Sequence, residues 1–109
     1  MKTSPLVTES KPGCIHATLD VIGDKWTGLL LRELTECPKT FGELELELVG
    51  ISPRTLSQRL DKLETDCITT KSLYCERPPR YKYALTKKGA DLKEVLNSMA
   101  TWGEKYSSY

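Results

Sequence analysis

The sequence predicts a mainly α domain that carries one small β-hairpin, and three stretches of the chain lead to that class. A capped amphipathic helix starts at Ser52, two strand-forming runs come after it within 68–85, and apolar stripes of helical period occupy most of the remainder. With 109 residues and 39% hydrophobic content, the chain can build one modest core and is too short for two.

Residues 1–13 are polar and carry Pro5, Pro12 and Gly13, so a flexible N-terminal segment is expected to precede a single domain over 14–109. Ile15, Leu19 and Ile22 then predict a short helix that ends at Gly23. Asp24 can cap a second helix, in which Trp26, Leu29, Leu30 and Leu34 form an inward stripe that stops before Pro38. Thr40-Phe41-Gly42-Glu43 is a capping box, in which Thr and Glu satisfy each other's backbone donors, and it opens a third helix. The run from Glu43 to Leu48 alternates as a strand would, yet Phe41, Leu44 and Leu48 fit helical spacing and Glu has weak β-propensity. Helix is the expectation, with Val49-Gly50 turning the chain into the next element.

That next element is the most informative. Ser52 is an effective N-cap because its hydroxyl accepts from first-turn N–H groups, Pro53 suits the first helical position, and Ile51 can staple onto Leu56. Leu56, Leu60 and Leu63 recur at i, i+4 and i+7 as a core stripe. Arg54, Gln58, Asp61 and Lys62 point outward, with Thr55, Ser57 and Arg59 on the flanks. Arg and Gln present paired hydrogen-bonding groups that match guanine or adenine edges, and Ser and Thr reach bases or phosphates. An ordinary amphipathic surface helix would show the same stripe but has no special need of that polar set.

The residues after the helix separate the two readings. Residues 68–74 and 81–85 are rich in Ile, Thr, Tyr and Leu, and Cys75-Glu76-Arg77-Pro78-Pro79-Arg80 between them is too proline-rich for sheet interior. A hairpin with a stiffened tip is predicted, with Tyr81, Tyr83 and Leu85 on one face, Arg80 and Lys82 on the other, and Arg77 in the tip. A cation-bearing hairpin beside an Arg/Gln helix is the layout of a winged helix-turn-helix. Thr86 can then cap a long last helix whose Leu92, Val95, Leu96, Met99, Trp102 and Tyr106 repeat at three and four residues. That stripe exceeds what one small domain needs for anchoring, so it is expected to pack against a second copy; folding back onto its own core is the alternative.

The charge is divided. From Ser52 to Lys88 nine Lys or Arg stand against four acids, a net +5, whereas Glu33 to Leu48 holds one Lys against five Glu, a net −4. The overall +1 therefore argues against a nonspecific nucleic-acid coat and fits a localised basic face that makes fewer contacts and reads sequence. No run approaches the ~20 apolar residues that cross a bilayer, and the N-terminus lacks the apolar core of a secretory signal. A cytoplasmic location without membrane contact is expected, with the four cysteines as free thiols.

Taken together, Cys14 and Ala17–Trp26, Phe41-Gly42-Glu43-Leu44, Gly50–Leu60, Pro78–Tyr83 and Leu85–Gly89 resemble the HxlR-type branch of the MarR-like winged-helix transcription regulators, over about Cys14 to Trp102. The resemblance implies a homodimer that joins through its first and last helices, Ile15 and Leu19 included, and binds double-stranded DNA at a pseudo-palindromic operator. By position it makes Arg54, Thr55, Ser57 and Gln58 base-edge candidates. Ser52, Arg59, Lys62, Arg77, Arg80 and Lys82 become phosphate or groove candidates, with Lys39 and Thr40 as further phosphate contacts at the start of the third helix. The sequence departs from that pattern at Glu45 and Glu47, where basic residues are frequent, at Asp24, where glycine is usual, and at Cys67. Glycine commonly ends the recognition helix there, so Cys67 is expected to hold a left-handed backbone at a cost of roughly 1 kcal/mol.

Some regulators of this type are similar in using a cysteine just before the first helix to sense oxidants or electrophiles, which makes Cys14 a possible redox sensor and an oxidant or small molecule a possible inducer. Thiolate is the nucleophile in such chemistry, and Cys14 lies at a helix N-terminus with Lys11 and His16 nearby. The plainer reading is a small apolar residue at the dimer seam. Cys14-Ile15-His16 lacks the closely spaced ligand pairs of structural zinc, so no metal and no cofactor are expected. His16 has no base-plus-nucleophile arrangement around it, and enzymatic activity is not expected. The leading expectation is a sequence-specific regulator. Its alternatives are a winged-helix protein-interaction module or a thiol sensor acting through a protein partner.

Overall fold

Caps fix where the helices begin, and leucines fix how they pack. The computed structural model describes residues 14–107; the expected flexible segment over 1–13 lies outside the described residues. Helix α1 (Ile15–Ile22) ends at Gly23. Asp24 starts α2 (Lys25–Glu36), its carboxylate accepting from the Thr27 amide at 3.1 Å and the Thr27 hydroxyl at 2.6 Å. Burial of Thr27 is therefore compatible with its polarity, since both donors are satisfied. The inward stripe of α2 is Thr27, Leu30, Leu31 and Leu34, at i, i+3, i+4 and i+7. Leu29, expected inside, is 40% exposed, because it lies about 100° around the helix from Leu30.

A two-residue strand β1 (Lys39–Thr40) leads into α3 (Phe41–Glu47). The capping box forms as expected, with the Glu43 amide donating to Thr40 Oγ1 at 3.1 Å and the Thr40 amide donating to Glu43 Oε1 at 2.8 Å. This cap resolves the strand-like alternation in favour of helix: Leu44 and Leu48 are buried while Leu46 faces outward. Gly50, at φ +96°, takes the left-handed turn that L side chains rarely adopt and delivers the chain to α4 (Pro53–Thr65).

Ser52 caps α4 through a 3.0 Å bond from the Thr55 amide, and Leu56, Leu60 and Leu63 are buried along one stripe. Cys67 has φ +62°, the left-handed conformation expected where a glycine is usual. The chain then forms β2 (Thr69–Glu76) and β3 (Pro79–Leu85), joined at Arg77-Pro78. The strands are longer than expected. Cys75, Glu76, Pro79 and Arg80 belong to the ladder because the tip needs only two residues, and Pro79 sits at its last rung opposite Glu76, where a missing N–H is tolerated. The sheet order is β1-β3-β2, with Lys39 opposite Tyr83, Thr40 opposite Lys82 and Thr69 opposite Leu85. A bulge between Leu73 and Cys75 shifts the register at Tyr74.

The long last helix is divided in two. Thr86 does cap a helix, accepting from the Gly89 amide at 3.1 Å, but α5 (Lys87–Ala90) is one turn and α6 (Lys93–Tyr106) begins only after Asp91-Leu92. Gly89 fixes α5 against β2: a Cβ there would lie 2.3 Å from the Ile68 carbonyl oxygen. The tighter turn, in which Leu92 N donates to Gly89 O at 3.0 Å, redirects the chain so that Leu96 enters the core and Leu92 packs on it. Leu96, expected at a dimer seam, is therefore a core residue of its own chain, 5% exposed. It joins Ile22, Leu30, Leu31, Leu34, Leu44, Leu48, Leu56, Leu60, Leu63 and Ile68. The remaining stripe residues Val95, Met99, Trp102 and Tyr106 are exposed, as are Ile15 and Leu19 on α1.

Candidate nucleic-acid interface

The leucine stripe that anchors α4 dictates what the helix offers to solvent. With Leu56, Leu60 and Leu63 inside, a 100° step per residue sends Arg54 and Gln58 to the opposite side, with Ser57 and Thr55 on either shoulder. Arg54, Ser57 and Gln58 are exposed and Thr55 is half-buried. Ser52 and Thr55 are joined by a 2.9 Å hydroxyl bond, so the two form one polar corner at the head of the helix. Thus α4 brings the four expected base-edge candidates onto one accessible surface.

The cations among the base-edge and backbone candidates divide into free and tethered. Arg54, Arg77 and Arg80 pair with no carboxylate among the described residues. On the wing, Lys82 lies 5.7 Å from the Tyr74 ring and Lys71 4.9 Å from the Tyr81 ring, contacts that hold both ammonium groups over aromatic faces. The bulge at Tyr74 has no signature in the sequence, so alternation alone does not reveal its pairing with Lys82. Burial beside this ladder pushes the Tyr83 hydroxyl above its ordinary pKa, so Tyr83 is neutral at physiological pH.

Lys39, expected as a phosphate contact, is in the tethered class. Its ammonium donates to Glu33 at 2.8 Å and Glu36 at 3.2 Å, and its side chain is only 12% exposed. The Glu33 bond holds it well above the usual lysine range despite the opposing effect of burial. The β1 pairing pulls the lysine down against α2, away from the open surface. Thr40 is likewise occupied by its capping box, and the Thr40 amide bond holds Glu43 below its ordinary value.

On the shoulder of α4 that carries Thr55, Arg59 donates to Asp24 at 3.2 Å, and Lys62 bonds Asp66 at 2.6 Å and the Asp20 carbonyl at 3.4 Å. Burial pushes the Asp24 carboxyl up, but hydrogen bonds from Thr27 and Arg59, with the Arg59 charge, outweigh it and leave the group below its ordinary value. Asp24 thus joins the α1–α2 corner to α4. Its departure from the usual glycine is visible in the sequence, while its partner is not.

Cys14 is half-buried at the N-cap of α1 and makes no side-chain cap bond. Cys37, Cys67 and Cys75 are also free thiols; Cys67 donates to the Thr65 carbonyl at 3.9 Å and Cys75 to the Arg77 carbonyl at 3.7 Å. Lys11, invoked as a neighbour of Cys14, lies outside the described residues. No group of three or more His, Cys, Asp or Glu is placed to hold a metal ion among the described residues, and no helix there is long and apolar enough to cross a membrane.

A model of the HxlR-like helix-turn-helix family matches residues 21–109. The HTH-type transcriptional regulator YdeP of Bacillus subtilis is 40% identical over 95 residues, covering 86% of this chain and 74% of YdeP. Among solved structures, the redox regulator HypR in its oxidized form superposes with a TM-score of 0.81 at 35% identity, over 87% of this chain and 98% of HypR. A transcriptional regulator of the MarR family from Enterococcus faecalis V583 superposes with a TM-score of 0.78 at 36% identity, over 95% of this chain and 94% of that one. A capped Arg/Gln helix, a basic wing and these likenesses converge: the chain belongs to the HxlR-like helix-turn-helix family of transcriptional regulators, with a MarR-like winged-helix fold.

Proposed function

We propose that two copies of this chain bind a pseudo-palindromic operator, each laying α4 in the major groove and the β2–β3 wing along the neighbouring backbone or minor groove. The observation that carries this reading is the placement of uncompensated cations: Arg54 on the outward side of α4, and Arg77 and Arg80 on the wing, have no carboxylate partner among the described residues. Arg54 and Gln58 read base edges, with Thr55 and Ser57 beside them, while Arg77, Arg80 and Lys82 neutralise phosphates. A second copy covers the exposed Ile15, Leu19, Val95, Met99, Trp102 and Tyr106, with Leu92 at the margin of that surface. Two-fold symmetry then places the half-sites about one helical turn apart. Hydroxyl-radical footprinting on DNA from upstream of the protein's own coding region tests the arrangement. Two protected patches related by a dyad support it, and a single short patch or uniform protection contradicts it.

Cys14 favours a second, compatible reading as the oxidant- or electrophile-responsive group. It is half-buried, free, and begins the helix that carries Ile15 and Leu19, so modification of its sulfur would alter the surface assigned to the second copy. HypR, similar over most of this chain, is described as a redox regulator. Comparing DNA binding of wild type and Cys14→Ser before and after diamide treatment tests it. Loss of the response in the variant alone supports sensing at Cys14, and an unaltered response removes it.

A further inference from the structure

Both cations on the Thr55 shoulder of α4, the half-buried Arg59 and the exposed Lys62, are held by carboxylates of their own chain. Residues 55, 59, 62 and 66 succeed one another at about one-turn spacing along the helix, so this shoulder is continuous. A shoulder of a groove-bound helix faces a phosphate strand, and there a DNA phosphate and a protein carboxylate are rivals for the same guanidinium. Arg59 is the informative case. Its partner Asp24 is 35 residues away, part-exposed at 47%, and simultaneously caps α2 through Thr27, so the carboxylate is fixed in place before Arg59 reaches it. Arg59 itself keeps 31% of its side chain exposed and needs only a rotamer change to leave.

We propose that Asp24 is an affinity-setting residue, an internal competitor that holds Arg59 off the DNA backbone and so limits sequence-independent binding. This rests on the operator reading above. When Arg59 stays on Asp24, the shoulder adds no phosphate contact and discrimination falls to Arg54 and Gln58; when it is released, every DNA sequence gains the same contact. Because Asp24 also caps α2, its bond to Arg59 ties the start of α2 to α4.

The test is a double-substitution cycle with Asp24→Asn and Arg59→Gln, measured by fluorescence anisotropy on upstream and scrambled DNA across a salt series. Asparagine keeps an N-cap acceptor for the Thr27 amide and removes the charge that restrains Arg59, while the Thr27 hydroxyl, which donates to the second carboxylate oxygen, must turn to accept from the asparagine amide. The expected result is that Asp24→Asn tightens binding to both DNAs by roughly threefold to tenfold at low salt and steepens the dependence of log K on log salt by about one contact. Both gains should vanish in the Arg59→Gln background. Unchanged or weakened binding by a normally melting Asp24→Asn protein overturns the proposal, as does a gain that persists without Arg59, which would assign the effect to direct repulsion between Asp24 and phosphate. The two readings fail separately: equal wild-type affinity for both DNAs counts against the operator reading, while the dependence of the Asp24 effect on Arg59 is still scored.

Discussion

Arg54 and Gln58 owe their accessibility to leucines a few positions away on the opposite face, so their substitution leaves the core intact and, on the proposed operator reading, would remove contacts with DNA. Replacing either with Ala is expected to cost about 1–3 kcal/mol on the preferred site and to relax specificity there, measured by anisotropy on operator and single-base variants. Glu43 tests a different residue-scale claim, that the capping box contributes to stability. The Thr40 amide bonded to its carboxylate lowers its pKa, so its ionised form stabilises the fold above the unfolded-state value. That contribution fades as pH falls through the lower, folded-state value. The advantage in melting temperature of wild type over Glu43→Gln should thus be full at neutral pH and shrink below the ordinary value of 4.5. A difference that stays constant from neutral pH down to well below that value contradicts it. Residue types and helical spacing announce Arg54, Gln58 and the Thr40–Glu43 box, since each depends on partners within one turn. Spacing is silent on Lys39 with Glu33 and on Arg59 with Asp24, because those partners meet only after elements pack.

Among the elements, the proposed function gives α4 and the wing separable tasks. Arg80→Ala should weaken binding to all DNA sequences alike and reduce the salt slope by about one, in contrast to the sequence-dependent loss from α4. Leu60 is 2% exposed on the inward stripe of α4, and Leu60→Ala should destabilise the protein by about 2–5 kcal/mol in urea unfolding. The starts of α2 through α5 are legible in their cap residues and, for α4, in Pro53 as well. Strand positions are legible in β-branched and aromatic content, but strand length is not, because a proline that would interrupt a ladder interior is tolerated at the terminal rung that Pro79 occupies. The break before α6 is hidden for a physical reason: Gly89 is demanded by contact with Ile68, 21 positions back in the chain, and local propensity carries no record of that approach.

At the scale of the whole molecule, the first and last helices carry apolar side chains that stay exposed among the described residues. Trp102, 67% exposed and 5.1 Å from the Tyr106 ring, and Ile15, 74% exposed, are the most open of them. A Met99→Glu/Trp102→Glu variant is expected to sediment as a monomer at micromolar concentration where wild type sediments as a dimer, and to lose operator affinity because one half-site alone remains engaged. The sequence pattern points to this surface yet assigns it Leu96, since periodicity cannot divide one long stripe between the chain's own core and a second copy. The most direct test of the central claim, that a paired α4 and wing recognise sequence, is anisotropy of the purified protein on its own upstream DNA and on scrambled DNA at near-physiological salt. Tight binding confined to the upstream fragment, and reduced by Arg54→Ala, is the predicted result. Equal affinity for both DNAs, or selective binding that Arg54→Ala and Gln58→Ala leave unchanged, would contradict it.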